Sequence, residues 1–407
     1  MNELKIINAK LITPNHIIEN GAVVIANGKI IAVGKDCADM EAATVINANE
    51  LYLSPGFIDM HVHGGGGHDF MDNTVNAFHE IARLHARHGT TALTPTTLSC
   101  EKEALQETIL TYELADMTNH DGAQFIGLHI EGPYFAKQQR GAQDERYIRD
   151  PDPEEYKEIL GGTNVIKRWS AAPELPGALD FGSYLMSQHV MPAIAHTDAI
   201  YEEVMPAFDN GYRHVTHFYS CTSGVSRRDG LRYAGVIESA YLLEDMTVEI
   251  IADGMHLPPP LLKLVYKIKG ADKTALVTDA MRAAGMPPGE SILGGLSNGQ
   301  KVIVEDGVAK LLDRSAFAGS VATMDRLVDN MVKLADVQLT DAVKMATTTP
   351  ATIMGIADKK GALLPEMDAD MVIFDDDINI NVTIIGGRVV YRAKTFTGII
   401  KDSKSIT

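Results

Sequence analysis

The chain has 407 residues, of which 36 are Lys or Arg and 54 are Asp or Glu, so its formal net charge at pH 7 is −18. Apolar residue types make up 45% and charged types 22%, which is typical of a globular protein and excludes a disordered, collagen-like or coiled-coil chain. The length predicts two domains, or one barrel with an appendage. The acidic charge argues against a nucleic-acid partner, because phosphates require a basic surface.

The cysteines and the start of the chain bear on the cellular location. Cys37, Cys100 and Cys221 are scattered and odd in number, so we expect no disulfide framework and a reducing compartment. The first residues, MNELK, lack a basic stretch followed by an apolar run, so we expect no signal peptide. Because no apolar run approaches the ~18 residues of a membrane helix, we expect a soluble cytoplasmic protein with no membrane partner.

Both ends of the chain contain short alternating runs that predict β-strands. Two Gly-containing pairs, Asn27-Gly28 and Gly386-Gly387, lie between such runs, and Asn-Gly is a strong hairpin signal. Neither end has enough strands to bury a core alone, so we expect one small β-sandwich domain built from residues 1–54 and 362–407. The predicted strands are residues 4–8, 22–26, 29–33, 44–46, 371–375, 382–385 and 388–391.

Residues 55–361 alternate between strand-like and helix-like patterns, which predicts an α/β fold, most economically a (β/α)8 TIM-like barrel. A barrel needs eight strands and nine runs are present, so one is surplus, and residues 165–171 are the first candidate for removal. The predicted helices include residues 74–88, 101–118 and 324–334. The predicted strands are residues 56–63, 90–96, 124–131, 165–171, 190–196, 214–218, 247–253, 274–279 and 316–320.

The first of these strands ends in a His-Val-His sequence. Alternate side chains of a strand point the same way, so Asp59, His61 and His63 share one face. Two imidazoles that converge on one point suit a divalent ion such as zinc or iron. The alternative is a pair of buried, hydrogen-bonded histidines.

Later strands also end in potential metal ligands. Glu131, His196, His217 and Asp279 each follow an apolar strand, at the end where barrel enzymes place their chemistry. An unpaired buried charge costs several kcal/mol, so a set of them without a cation would be unusual in a core. We therefore expect a site for one or two divalent metal ions, which could be zinc, iron, cobalt or manganese.

Other histidines are assigned mainly structural roles. His129 faces the same way as Glu131 and could support the ligands, whereas His214 points away from His217. His256 follows the strand at residues 247–253, on a loop at the same barrel end, where it could contact a substrate. The histidines whose spacing on the first helix does not make a ligand set are His79, His85 and His88.

Two further features could bind an anion. The run Gly64–Gly67 lacks the Lys-Ser/Thr of a P-loop, so we expect it to form a tight turn after the histidine pair. Arg227, Arg228 and Arg232 cluster on a loop after His217, and in an acidic chain such a cluster favours an anion-binding role over a solvated surface.

At this point the motifs resemble those of the amidohydrolase superfamily and, within it, the N-acetylglucosamine-6-phosphate deacetylase family. The resemblance runs nearly end to end, and its most specific parts are HIEGP and ADGMH. The motifs are SPGFIDMHVHG (54–64), HIEGPY (129–134), APE (172–174), AHT (195–197), THFY (216–219), IADGMH (251–256), LVTDA (276–280), AGS (318–320), AT (346–347), PA (350–351) and DADMV (368–372).

The resemblance implies two metal sites. Glu131, His196 and His217 match a site that the family keeps throughout, and His61 and His63 match a second site, with Asp279 and a bridging Glu131, that only some members keep. Many other amidohydrolases bridge their two metals with a carboxylated lysine on the fourth strand. Lys167 lies in the candidate fourth strand but far from its end, so we expect it to be an ordinary lysine.

The resemblance also implies substrate contacts, with two departures from the family pattern. Ser220-Cys221-Thr222 replaces a usual Asn-Ala-Met, and Gln143 replaces a common His, both in the sugar-recognition region. Arg228 matches an arginine that binds the substrate phosphate and comes from the other subunit of a homodimer, although Arg227 could take its place. The implied contacts are Ala142, Gln143, Ser220, Cys221, Arg228, His256, Ala318 and Gly319.

The implied reaction is hydrolysis of N-acetylglucosamine 6-phosphate to glucosamine 6-phosphate and acetate, with Asp279 as general base and then general acid. Three alternatives remain at this stage. One is a deacetylase of N-acetylgalactosamine 6-phosphate or of an N-acyl amino acid, another is a metal-dependent phosphoesterase, and the third is an inactive metal-binding scaffold. The product, acetate or phosphate, separates the first two.

Overall fold

The protein is described here by a computed structural model that covers residues 3–14, 16–398 and 400–402. The outermost residues of the predicted terminal domain, 1–2 and 403–407, lie outside the described residues. No helix among the described residues is long and apolar enough to cross a membrane.

The N-terminal segment forms five strands. Ala26 pairs with Lys29 across a turn in which Asn27 and Gly28 have φ of 52° and 71°, so the predicted hairpin is confirmed. The strands are β1 (Leu4–Ile12), β2 (Ile17–Ala26), β3 (Lys29–Gly34), β4 (Thr44–Asn47) and β5 (Tyr52–Pro55).

The central segment alternates strands and helices as predicted, and α1 shows why its helices form. Thr74 accepts a hydrogen bond from the Ala77 amide at the start of α1, and Phe78 and Ile81 turn one face of the helix into the core. The strands are β6 (Phe57–Val62), β7 (Gly64–Gly65), β8 (His68–Asp69), β9 (Thr90–Pro95), β10 (Gln124–Phe125), β11 (Leu128–Glu131), β12 (Ile166–Ala171), β13 (Met191–Ile194), β14 (His214–Val215), β15 (Ser226–Arg228), β16 (Leu231–Tyr233), β17 (Thr247–Ile250), β18 (Thr274–Leu276), β19 (Gly289–Leu293), β20 (Gln300–Glu305) and β21 (Val308–Leu311). The helices are α1 (Val75–Arg87), α2 (Lys102–Thr118), α3 (Pro153–Gly161), α4 (Ala178–Ser187), α5 (Tyr201–Asp209), α6 (Val236–Leu242), α7 (Pro259–Lys269), α8 (Met324–Lys333), α9 (Leu339–Ala346) and α10 (Thr348–Ile353).

Two parallel ladders form the centre of the molecule. One has the strand order β10-β9-β6, and the other has the order β11-β12-β13-β14-β17-β18. Isolated parallel bridges join the ladders at Thr96–His129 and at Val62–Ala280. Because the strands are parallel, their carboxyl ends lie along one edge, where the predicted ligands follow.

Of the nine predicted strands of the central segment, 316–320 is wrong and 165–171 is correct. Residues 165–171, the predicted surplus run, contain β12, which pairs with both β11 and β13. The surplus run is 316–320, which forms only isolated bridges at Phe317 and Ser320. Its apolar residues resemble a strand because Ala318 is buried, but they do not enter a ladder. The antiparallel sheet β19-β20-β21 next to it is not predicted from the sequence.

The C-terminal strands complete the sheet that the N-terminal strands begin. They are β22 (Met371–Phe374), β23 (Ile380–Ile385), β24 (Arg388–Arg392) and β25 (Ile400–Asp402). The strand order is β24-β23-β22-β5-β1-β2-β3, and β4 pairs with β1 and β25. Ile373 faces Leu53 across the β22–β5 pair, so strands from both ends of the chain share one sheet.

Candidate active site

The predicted ligands meet where the parallel strands end. His61 lies in β6 and Glu131 ends β11, whereas His196, His217 and Asp279 follow β13, β14 and β18 by two or three residues. These last three have φ of 47°, 28° and 47°, in the left-handed region that is uncommon for residues other than glycine. Such strained backbone clusters at functional sites, where the surrounding structure enforces it.

Six side chains form two groups that could each hold a metal ion. His61, His63 and Asp279 make one group, and Glu131, His196 and His217 make the other, with the ligand atoms of each within 4.8 Å of one another. All six side chains are buried.

Glu131 lies between the two groups. Its Oε1 is 3.0 Å from Nε2 of His217 and 3.5 Å from Nε2 of His61, and its Oε2 is 3.4 Å from Nε2 of His63. One carboxylate therefore contacts ligands of both groups, which is the arrangement of a bridging ligand.

The tautomers of the four histidines fit a metal site. In each ring Nδ1 contacts an oxygen that can only accept a hydrogen bond, so Nδ1 carries a proton. Nε2 points inward, where it can bind a metal ion once it is deprotonated. Two pairs of Nε2 atoms then face each other, at 3.3 Å for His61–His63 and 3.2 Å for His196–His217. Two ring nitrogens at these distances need a proton or a cation between them, and a metal ion can take that place. The acceptors for His61, His63, His196 and His217 are Glu249 Oε1, Thr96 O, Gln139 O and Ser220 O.

The pKa directions show that the site favours positive charge. Burial lowers the pKa of His63, but its contacts with Asp279 and Glu131 raise it more, to about 10. Burial raises the pKa of Glu131, but His61, His196 and the other histidines bring it well below its usual range. The pKa of Asp279 is likewise lowered by His61 and His63 against the effect of burial. These carboxylates are ionised, as metal ligands must be.

A second layer of polar residues supports the ligands. Asp59 accepts hydrogen bonds from the His61 amide at 3.3 Å and the Thr278 hydroxyl at 2.5 Å, so it supports the ligands and belongs to neither group. His129, predicted to support the site, bonds to Thr96 and Ser170.

Glu249 and Arg168 are the supporting residues that the sequence analysis missed. Both are completely buried and lie 2.5 Å apart, and Glu249 contacts His61 and His214. Burial raises the pKa of Glu249, but Arg168 and the two histidines hold it well below its usual range. The available signal was a charged residue inside a predicted buried strand: Glu249 in β17, and Arg168 next to Lys167 in β12.

A cavity of about 300 Å³ opens onto the ligands, large enough for a small substrate. Gln143 donates from Nε2 to Oε2 of Glu131 at 2.8 Å, and His256 bonds through Nδ1 to Asp253 and packs on Phe317. Six of the eight predicted contact residues line the cavity: Ala142, Gln143, Ser220, Cys221, His256 and Gly319. Lining residues that were not predicted as contacts include Leu98, Tyr219, Leu293 and Phe317.

Two predicted contact residues do not line this cavity. Ala318 is completely buried beside it, and its neighbours Phe317 and Gly319 take its place at the wall. Arg228 is exposed on the β15–β16 hairpin, where its guanidinium lies 5.5 Å from the ring centre of Tyr233. Within one chain, Arg228 is thus not part of the site.

The histidines on α1 and the glycine run have local structural contacts. His79 bonds to the Ala115 carbonyl, His85 to the Gly64 carbonyl, and His88 to Asp325. In the run that begins at Gly64, three of the four amides donate to carbonyls of residues 280–284, which makes it a turn. Lys167 is exposed, whereas all six residues of the two groups are buried.

Comparison with known proteins decides the family. The sequence profile of the amidohydrolase family matches residues 52–390. The chain belongs to the amidohydrolase family. A relative from Lysinibacillus sphaericus, an N-acetylglucosamine-6-phosphate deacetylase, is 36% identical and covers 83% of this chain and 85% of its own length. The resemblance seen in the motifs is therefore confirmed.

Two further proteins extend this comparison. An N-acetylgalactosamine-6-phosphate deacetylase from Escherichia coli O157:H7 is 30% identical, over 93% of this chain and 97% of its own. The structure of a mutant N-acetyl-D-glucosamine-6-phosphate deacetylase from Mycobacterium smegmatis, in complex with N-acetyl-D-glucosamine-6-phosphate, is 28% identical. It superposes with a TM-score of 0.88 over 96% of this chain and all of that one. The amidohydrolase fold and the two possible metal-binding groups thus occur together in this chain.

Proposed function

We propose that this amidohydrolase removes the N-acetyl group of N-acetylglucosamine 6-phosphate, giving glucosamine 6-phosphate and acetate. The observation that carries the proposal is the placement of Asp279 and two ligand groups at the wall of one cavity. The curated relatives with this name, matched over most of the chain, support the substrate.

The proposed ligands are those of the two groups, with Glu131 shared between them. When bound, a divalent ion lowers the pKa of a water molecule and polarises the amide carbonyl. Asp279 accepts the proton of the attacking water, because its lowered pKa keeps it ionised. It then returns that proton to the amine nitrogen, which leaves poorly without one.

Residues at the cavity wall are proposed to bind the sugar. Gln143, Ser220, Cys221 and His256 provide polar groups, and Ala142 and Gly319 complete the wall. His256 is oriented by Asp253, which leaves its Nε2 free to meet a hydroxyl or the acetyl oxygen.

Arg228 is proposed to bind the phosphate of a substrate held by the partner subunit of a homodimer. Its exposure on a hairpin, outside the cavity of its own chain, supports a role in the partner's site. A guanidinium offers paired donors that suit a phosphate better than a lysine does. The free state of the three cysteines agrees with a cytoplasmic location for this dimer.

We also propose that the central strands close into a barrel and that the terminal strands form a β-sandwich. Bridges at both edges of the six-stranded ladder support closure into a (β/α)8 barrel over residues 55–361. Residues 1–54 and 362–407 are proposed to form a β-sandwich. Ile25 of β2 and Ile384 of β23 share one apolar cluster although their strands are not neighbours in the sheet, which supports folding of the sheet onto itself.

A second candidate is the deacetylation of N-acetylgalactosamine 6-phosphate. The relative that carries this name, together with the departures at Gln143 and at Ser220-Cys221, favours it. The two substrates differ only in the configuration of one hydroxyl, and the reaction at the amide is the same.

The test combines metal analysis of the purified protein with acetate release from both phosphosugars. We expect bound divalent metal, and faster acetate release from N-acetylglucosamine 6-phosphate. A higher kcat/KM for the galactosamine compound would select the second candidate. Release of phosphate without acetate would indicate a phosphoesterase. Release of neither phosphate nor acetate would indicate an inactive metal-binding scaffold.

A further inference from the structure

Four hydrogen-bond donors converge on the buried carboxylate of Glu249. Its Oε1 accepts from Nδ1 of His61 at 2.8 Å and from the backbone amide of His217 at 3.2 Å. Its Oε2 accepts from Nη1 of Arg168 at 2.5 Å and from Nε2 of His214 at 3.1 Å. The side chains of Glu249, Arg168 and His61 are all completely buried. Only a carboxylate has acceptors on both atoms, so no other residue type meets all four donors.

We propose that Glu249, with Arg168 as its counter-ion, is the positioning residue that makes the His61–His63–Asp279 group a metal site. Glu249 fixes the proton of His61 on Nδ1, so that the Nε2 lone pair faces Glu131 and Asp279. Carboxylates that bond to ligand histidines in this way orient the ring and increase its basicity. The inference rests on the two-metal site of the proposed function and adds the residue on which the second site depends.

A chain of hydrogen bonds between buried side chains links Arg168, beside Glu249, to His63. Arg168 also donates to the Met60 carbonyl and the Thr216 hydroxyl, and the carbonyl of Thr96 accepts from Nδ1 of His63. The hydrogen bonds between these two ends run through Thr216, Ser170, His129 and Thr96.

The other ligand group is held differently. Nδ1 of His196 donates to the carbonyl of Gln139, at the end of the short 3-10 helix Lys137–Gln139. Nδ1 of His217 donates to the carbonyl of Ser220, which lines the cavity. The Glu249 carboxylate touches that group only at the backbone amide of His217. A change at Glu249 should therefore weaken the His61–His63–Asp279 site selectively.

The substitution Glu249→Gln tests this selectivity. An amide has one accepting atom, so its NH₂ group must face either Nδ1 of His61 or the guanidinium of Arg168. In the first case the proton of His61 moves to Nε2, which can then no longer bind a metal ion. We expect zinc titration calorimetry to show two sites in the wild type, and one unchanged site plus a second weakened ~10–100-fold in the variant.

His214→Gln is the matched control. His214 is as buried as Glu249 and bonds to the same carboxylate, but it touches none of the proposed ligands. We expect it to retain both sites with wild-type affinity. An equal loss in this control would show that general disruption of the core explains the effect, and would overturn the positioning role.

Two more variants test whether Glu249 acts on the His61–His63–Asp279 group. In the His63→Gln background, which already lacks one ligand of this site, Glu249→Gln should remove no further zinc, and a further loss would place its action at the other site. If Glu249→Gln does not fold, Glu249→Asp keeps the charge but shortens the reach to His61, and should weaken the same site. A wild type with two sites and Glu249 variants that bind both equally well would overturn only this inference. A wild type with a single site would overturn the two-metal site itself.

Discussion

Asp279→Asn is the perturbation that best separates proton transfer from metal binding. The substitution keeps the size of the side chain and one oxygen, but it removes the carboxylate that accepts a proton. The main chain should not move, because the Asp279 amide donates to the His61 carbonyl at 2.9 Å and its carbonyl accepts from Ser320 at 2.8 Å. Asn also tolerates the left-handed φ of 47° at this position.

The expected effect is a loss of ~10²–10⁴-fold in kcat, which is the usual contribution of a general acid–base group. This corresponds to an increase of about 3–5 kcal/mol in the activation free energy. Acetate release under saturating substrate measures kcat, and metal analysis of the same sample shows which ligand group stays filled.

His63→Gln is the control for this experiment. His63 Nε2 lies 3.2 Å from Oδ1 of Asp279 in the same ligand group, but the ring has no part in the proposed proton transfer. We expect kcat to fall less in this variant than in Asp279→Asn when the Glu131–His196–His217 group is filled in both. Equal losses would mean that Asp279 acts only as a ligand, and wild-type kcat in Asp279→Asn would refute its role altogether.

Three further predictions concern the phosphate, the metal and pH. Arg228→Ala should lower kcat/KM for the phosphorylated sugar more than about tenfold and barely change kcat/KM for unphosphorylated N-acetylglucosamine. The control Arg227→Ala should lower kcat/KM for neither sugar. Equal losses of kcat/KM on both sugars in Arg228→Ala would refute phosphate binding. Dialysis against a chelator should abolish acetate release and lower Tm, because an ion that binds only the folded state stabilises it, and added zinc should restore both. Full activity in the chelated protein would exclude a metal site. Burial lowers the pKa of His85 in the folded protein to about 4, whereas the unfolded chain has the ordinary histidine pKa of about 6.5. Between pH 7 and pH 5 the unfolded chain therefore binds a proton that the folded chain does not, and the free energy of unfolding falls by about 2 kcal/mol. His85→Gln keeps a donor for the Gly64 carbonyl and should lack this part of the fall in urea titrations; an unchanged pH dependence would contradict the assignment.

The parallel strands and their polar ends were predictable because both depend on local sequence. An apolar run that ends in His, Glu or Asp predicts a buried strand with polar groups at its carboxyl end. This pattern pointed to His61, Glu131 and Asp279, which the fold brings together in the two possible metal-binding groups. The run at 316–320 has the same apolar character but forms only isolated bridges. Periodicity shows that a segment is buried and does not show whether it pairs in a ladder.

The supporting residues could not be predicted in the same way, because their partners are distant in the chain. Glu249 is the one charged residue of β17, and Arg168 follows the exposed Lys167 in β12. Their 2.5 Å contact depends on β12 and β17 being brought together by folding. A buried charge in the sequence indicates that a partner exists, since an unpaired one costs several kcal/mol, but it does not identify that partner. The predicted ligands needed only a common edge of the sheet, which any parallel arrangement provides. The bond from Glu249 to His61 depends on which strands become neighbours in the fold. We propose that this bond selects the His61 tautomer that a second metal site would require.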